Sequence, residues 1–327
     1  MMPVIGSPEQ YTENDLYVTL ENIYDRRLYL KCEGFNFAGS IKLKAAAEMV
    51  DTAERKGLIG PDSILVESSS GNLGVALAML ATGRGYAFLC VTDTRCTPAN
   101  RRLIEAFGGV VHVVTEPDPD SGYLGARIAH VRRLCSGSSR YVWLDQYSNP
   151  GNWIAHYRHT APGIADRFPD LDVLFVGAGT TGTLMGCARF FRRNRPRTQV
   201  VAVDAVGSVT FSGAKPGPRM IPGIGTTVRP ALLDEAWLDD VVHVAEPDAI
   251  EACRRMAAHG FLFGGSTGAV VSGALRWLTE HEARPETSAV AIAPDLGERY
   301  LGTVYRPDWV RETYENGKTD LSNASFG

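Results

Sequence analysis

Short apolar runs alternate with stretches of helical spacing along most of this chain, and no other feature limits its fold as strongly. Residues 64–67, 86–91, 110–114, 141–144, 173–176, 200–203, 241–244 and 289–293 read as buried strands. Residues 42–58, 73–80, 98–107, 124–134, 153–167, 183–192 and 248–258 read as helices. A strand followed by a helix, not by a tight turn, joins a parallel sheet whose faces the helices cover. The expectation is an α/β fold. Ahead of this alternation, residues 16–18 and 28–32 look like two short strands around a bend.

Small and hydroxylated residues collect where strands pass into helices. Gly177-Ala178-Gly179-Thr180-Thr181-Gly182-Thr183 follows a buried strand and opens a helix. Such a loop cradles phosphate, because glycines admit close approach and the helix N–H groups face the anion. It also spells G-x-G-x-x-G, and Asp204 follows the next strand, where a ribose-binding acid belongs. A nicotinamide oxidoreductase therefore competes at this point. Ser68-Ser69-Ser70-Gly71-Asn72 offers hydroxyls, an amide and helix-start donors suited to a carboxylate. Gly264-Gly265-Ser266-Thr267-Gly268 allows a flat ligand close to the backbone, with Ser266 able to meet a ring nitrogen.

The fourth stretch is Phe37-Ala38-Gly39-Ser40-Ile41-Lys42. Ser40 reads as an N-cap, which puts Lys42 in the first turn of a helix. The positive end of the helix dipole and partial burial both disfavour an ammonium there. A neutral lysine is a nucleophile that forms a Schiff base with an aldehyde. Lysine, phosphate cup, ring-oxygen donor and ring-nitrogen partner together meet the needs of pyridoxal 5′-phosphate.

The composition excludes several other classes. At 327 residues, 44% hydrophobic and 21% charged, the chain has globular proportions. A net charge of −4 gives no footprint for nucleic acid or an anionic membrane. No apolar run reaches the ~20 residues of a membrane span, and no signal-peptide pattern opens the chain. Cys32, Cys90, Cys96, Cys135, Cys187 and Cys253 form no C-x-x-C pair, and the histidines lack metal-ligand spacing. Free thiols in a reducing cytoplasm and no metal are expected.

In order, these motifs resemble the fold-type II pyridoxal-phosphate enzymes, the class of tryptophan synthase β, and within it the cysteine synthase family. The resemblance runs from about residue 14 to 302. It rests on Lys31-Cys32-Glu33-Gly34-Phe35-Asn36, Gly39-Ser40-Ile41-Lys42, Ser69-Ser70-Gly71-Asn72 and Gln146-Tyr147-Ser148-Asn149-Pro150. The 177–183 loop, Ile221-Pro222-Gly223-Ile224-Gly225, Gly265-Ser266-Thr267-Gly268 and Pro294-Asp295-Leu296-Gly297-Glu298-Arg299-Tyr300-Leu301 complete it.

The resemblance implies two three-layer α/β domains with mostly parallel sheets and the cofactor in the cleft between them. The smaller domain spans 42–146, and the larger combines 1–41 with 147–327. Lys42 becomes the Schiff-base lysine, Asn72 the partner of the ring oxygen and Ser266 that of the ring nitrogen. Gly179, Thr180, Thr181, Gly182 and Thr183 become the phosphate cup. Ser69, Ser70, Gly71 and Leu73 hold the substrate carboxylate. The implied reaction is β-replacement on an O-activated serine, and a homodimer is implied with it. Lys42, once displaced by substrate, is the natural base for the Cα proton.

Departures from the family pattern bear on the second substrate. Lys42-Leu43-Lys44 stands where Lys-Asp-Arg is usual, Leu73 where a threonine is usual, Thr181 where a glycine is usual, and Tyr147 where a phenylalanine is usual. These changes resemble the branch making N-(2-amino-2-carboxyethyl)-L-glutamate, a 2,3-diaminopropionate precursor in siderophore and peptide-antibiotic pathways. That branch joins O-phosphoserine and glutamate and needs extra cationic contacts. Arg127, with Tyr147 as helper, is the expected provider. The alternatives are a cysteine synthase, a cystathionine β-synthase-like enzyme, a nicotinamide oxidoreductase and an inactive relative that binds a partner protein. Residues 207–230, rich in Gly and Pro, are expected to form either a functional or a mobile loop.

Overall fold

The computed structural model describes residues 4–11, 15–213 and 215–315. The opening residues 1–3, read above for a signal-peptide pattern, fall outside these.

The chain runs β1 (Tyr17–Thr19), α1 (Glu21–Tyr24), β2 (Leu28–Cys32), α2 (Lys42–Arg55), β3 (Ile64–Ser68), α3 (Asn72–Gly83), β4 (Ala87–Asp93), α4 (Pro98–Ala106), β5 (Val110–Val114), α5 (Gly122–Gly137) and β6 (Tyr141–Trp143). It continues with α6 (Gly151–Ala155), α7 (Ala161–Arg167), β7 (Val173–Gly177), α8 (Gly182–Asn194), β8 (Gln199–Ala205), β9 (Asp240–Val244), α9 (Glu246–Ala257), α10 (Gly265–Glu280), β10 (Ala289–Ala293) and α11 (Pro307–Val310). A π-helical segment, His156–Thr160, joins α6 to α7, so the expected helix at 153–167 is one continuous rod with a wider turn in it.

The strands form two sheets, in the orders β5-β4-β3-β6 and β1-β2-β10-β7-β8-β9. The first is parallel throughout. The second is parallel except for its edge pair, where β1 runs against β2. β10 lies between β2 and β7, with Ala289 opposite Leu28 on one side and Val173 on the other. The last strand thus stitches the opening of the chain to its second half. Every residue of Ala-Val-Ala-Ile-Ala in β10 is buried, as a central parallel strand requires.

Each sheet has its own apolar core. Leu43, Met49, Leu65, Leu77 and Ile104 pack on one face of the four-stranded sheet. Phe175, Val203, Val271 and Trp277 fill one face of the six-stranded sheet, and Leu174, Leu184, Phe191 and Ile292 fill the other. Among the described residues no helix is long and apolar enough to cross a membrane, and no group of His, Cys, Asp and Glu is placed to hold a metal. The six cysteines are free, and all but Cys135 are buried.

One local expectation needs correction. Ser40 does not cap α2: Ile41 occupies that position with helical φ and ψ, and the Ser40 hydroxyl is buried without a partner. The reason is that Ser40 bridges to Asp295, and the Ile41 N–H donates to the Pro294 carbonyl at 2.7 Å, so the chain enters the helix already paired with the far sheet. Lys42 is consequently the first residue of α2. The described residues of 207–230 carry no helix or strand, as expected of a loop, and they are pinned at several points described below.

Candidate active site

The elements that carry the sequence motifs converge where the two sheets meet. Lys42, Asn72, the 177–183 loop and Ser266 line one pocket. It opens beside a larger cleft of ≈ 410 Å³, which Lys42, Ser69–Leu73, Arg127 and Tyr147 also line. Every site residue expected from the sequence therefore lies in one continuous depression.

Lys42 is half-buried, and desolvation pushes its ammonium down to about 8, with Asp295 resisting that shift. Asp295, buried behind the lining, ties the pocket residues together. It accepts from Asn72 Nδ2 at 2.8 Å and Ser266 Oγ at 3.3 Å, and from the Tyr300 hydroxyl. Burial raises its own pKa. The oxygen of Asn72 accepts from Arg299, which also donates to the Ala38 carbonyl at 2.7 Å.

The loop after β7 is shaped for an anion. α8 starts at Gly182, so its first N–H groups have no carbonyl within the helix. Thr181 sits at φ 65° in the left-handed region, which a β-branched residue adopts only under constraint; this is the physical reason a glycine is usual there. The Thr181 hydroxyl is buried and unpartnered. Gly182 lies against Asn152 so closely that any side chain would overlap the amide. Asn152 Nδ2 in turn donates to Thr180 Oγ1 at 3.0 Å and to the Gln146 carbonyl at 2.7 Å. Thr183 Oγ1 contacts His156 Nε2 at 3.2 Å, and His156 Nδ1 contacts Thr160 Oγ1 at 3.0 Å. Burial and the neighbouring lysines hold His156 neutral.

On the other side, the Ser69 hydroxyl accepts from the N–H groups of Gly71 and Gly74 at 3.3 and 3.0 Å, so it shapes its own loop. Ser70, Gly71 and the start of α3 remain to face a ligand, and Leu73 packs into the core. Arg127 is only 6% exposed and pairs with Asp93, Nε to Oδ2 at 3.3 Å, while its Nη1 has no partner. It is no surface arginine beside Arg132 and Arg133. Burial raises the Tyr147 hydroxyl.

The sequence reading assigned no role to Asp295, Asn152, His156 or Arg219, which also lines the cleft. Only Asp295 carried a local signal, a carboxylate directly after the buried 289–293 strand. Asp204, the residue a dinucleotide would need, is fully buried at the end of β8 and accepts from the Ala205 N–H at 2.8 Å.

A profile of the family described as pyridoxal-phosphate dependent enzyme matches residues 15–295. The chain belongs to the pyridoxal-phosphate dependent enzymes. Two relatives that match most of the chain are named N-(2-amino-2-carboxyethyl)-L-glutamate synthase. That of Ralstonia nicotianae is 43% identical over 90% of this chain and 87% of its own. That of Cupriavidus metallidurans is 41% identical over 88% and 84%. Among solved structures, O-ureido-L-serine synthase superposes with a TM-score of 0.85 at 33% identity, covering 99% of this chain and 100% of that one. An O-acetylserine dependent cystathionine β-synthase from Helicobacter pylori superposes with a TM-score of 0.84 at 26% identity, covering 93% and 100%. This is a fold-type II, pyridoxal-phosphate-dependent β-replacement enzyme, and the dinucleotide reading of the 177–183 loop falls away.

The residues present fit that cofactor. A half-buried lysine with a depressed pKa, an unpartnered hydroxyl at a helix start and a serine at the pocket floor are the groups pyridoxal phosphate needs.

Proposed function

We propose that the enzyme joins O-phospho-L-serine to L-glutamate, giving N-(2-amino-2-carboxyethyl)-L-glutamate for 2,3-diaminopropionate used in siderophore or peptide-antibiotic synthesis. The serine Cβ–O bond breaks and phosphate leaves. A Cβ–N bond forms to the glutamate amine, which gives up a proton. One observation carries this choice. Lys42 and four arginines, Arg95, Arg127, Arg219 and Arg299, line the cleft, and among the described residues no carboxylate does. Such a lining favours substrates with several negative charges over sulfide or a neutral thiol. The names of the two bacterial relatives support the same substrates.

In this reading Lys42 attaches the cofactor, and residues 179–183 hold its phosphate. Asn72 faces its ring oxygen and Ser266 its ring nitrogen. The cofactor supplies an electron sink next to the serine Cα. Lys42 moves the Cα proton, and the loop 69–73 orients the serine carboxylate. Arg127 and Tyr147 receive the leaving phosphate, Arg binding it through a planar fork. The separate sheets support a domain division at 41/42 and 146/147. A cytoplasmic homodimer is part of the proposal and rests on family resemblance.

The test is a substrate panel read by product mass. O-phosphoserine and O-acetylserine are each offered with glutamate, sulfide and homocysteine. O-phosphoserine with glutamate should dominate. Arg127→Lys should lower turnover of O-phosphoserine about 30-fold or more with the cofactor's absorbance unchanged. A preference for O-acetylserine and sulfide would return the enzyme to the cysteine synthases.

A further inference from the structure

The cleft holds a cation that the reaction as described leaves unused. Arg219 lies in the segment 207–230, on the side of the six-stranded sheet, whereas Arg127 reaches the cleft from the four-stranded side.

The segment around it is firmly built. The Glu246 carboxylate at the start of α9 accepts from the Met220 N–H at 2.8 Å and the Ile221 N–H at 2.6 Å. The Gly225 N–H donates to the Ala178 carbonyl at 2.7 Å, next to the phosphate loop. Gly225 has a φ of 72°, and a side chain there would overlap the Arg219 guanidinium. The guanidinium thus rests on bare backbone, in a berth that only glycine leaves open.

The other cleft arginines are engaged. Arg299 serves Asn72 and Ala38. Arg127 pairs with Asp93, and Arg95 lies 3.7 Å from the same carboxylate and over the Tyr123 ring. Arg219 makes one long bond, Nη1 to the Ile224 carbonyl at 3.5 Å. Its Nε is buried with no partner. Asp204 and Glu246 act on it from beyond ion-pair distance, and Glu246 is already occupied by the backbone. Arg219 is half-buried, and a guanidinium whose Nε is shut away without a partner is costly to hold unless a ligand completes it.

We propose that Arg219 binds the side-chain carboxylate of the incoming amino acid and sets the preference for an acidic nucleophile over its amide. This rests on the substrate reading above and deepens it. Arg127 is paired with Asp93 and assigned to the leaving phosphate, which leaves Arg219 as the cation available to the nucleophile's side chain. Arg127 stands on the side that carries the serine-carboxylate loop, and Arg219 stands on the other.

The experiment compares holoenzyme and its Arg219→Gln and Arg219→Lys variants in two assays. One is single-turnover phosphate release from O-phosphoserine without nucleophile. The other is steady-state kcat/KM for glutamate and for glutamine. Cofactor absorbance and melting temperature confirm that each variant is folded. Arg219→Gln should raise KM for glutamate about 30-fold or more and abolish the preference over glutamine, with phosphate release unchanged. Arg219→Lys should recover part of the glutamate preference, a point charge replacing a fork. An unchanged glutamate KM in folded Arg219→Gln overturns the assignment and leaves the substrate reading intact. So does a variant that slows phosphate release equally. A parent enzyme that uses aspartate instead of glutamate, and loses that preference in Arg219→Gln, keeps the assignment and overturns the substrate reading. A parent enzyme that accepts only uncharged nucleophiles or sulfide overturns both.

Discussion

Lys42 is half-buried in surroundings that favour its free amine. Its folded pKa of about 8 lies below the usual lysine value of 10.5. Between these values the unfolded chain binds more protons than the folded one, so stability without cofactor rises with pH across that window and is lowest below it. Lys42→Met should therefore stabilise the cofactor-free protein at pH 7 by roughly 1–3 kcal/mol, and the advantage should shrink toward pH 10. Denaturant melts at both pH values check this. An advantage that persists at high pH would mean the gain comes from apolar packing instead. In the parent enzyme, the rate at which Lys42 takes up pyridoxal phosphate should level off above about 8. Arg127 carries a different constraint. Its partner Asp93 is only 1% exposed, so removing the cation outright would leave a buried carboxylate with only Arg95 for charge, at 3.7 Å. Lysine is accordingly the cleaner probe at that position.

At the scale of elements, the segment 207–230 behaves as a wall, and Glu246 is its anchor. Glu246→Ala would strip the acceptor from two backbone N–H groups and from the Tyr314 hydroxyl at 2.7 Å. The expected cost is about 1–3 kcal/mol of stability. The glutamate KM should rise while the cofactor's absorbance stays constant. A glutamate KM that does not move would show that Arg219 keeps its position without this anchor. The phosphate loop and the lysine turn were legible in the sequence because a strand–loop–helix passage is a local signature, written in consecutive residues. The residues that brace it were not. Asn152 meets Thr180 across 28 positions, and Asn72 meets Asp295 across 223. No periodicity encodes such distances. The strand and helix positions were recovered nearly throughout, since burial on both faces leaves plain apolar runs. The cap of α2 was misread because Ser40 answers to the far sheet and not to its own helix.

Across the whole molecule, the cofactor pocket is also the place where the two sheets are fastened. Asn72 opens α3 beside the four-stranded sheet, whereas Asp295 and Arg299 follow β10 of the six-stranded one. Asn72→Ala should loosen that fastening even without cofactor. Backbone hydrogen exchange at the start of α3 and after β10 should quicken together, by an amount global unfolding does not explain. Exchange that stays at parental rates would place the fastening elsewhere, for example in the Arg158–Glu48 pair at 3.1 Å. Held by Asp295 through one N–H and by Arg299 through its oxygen, the Asn72 amide still has a second N–H to give. A ring oxygen arriving there meets a donor whose orientation was decided when the chain folded. In the proposed assignment of Asn72 little rotational freedom is left for the ligand to remove, so the amide is set for the cofactor before it arrives.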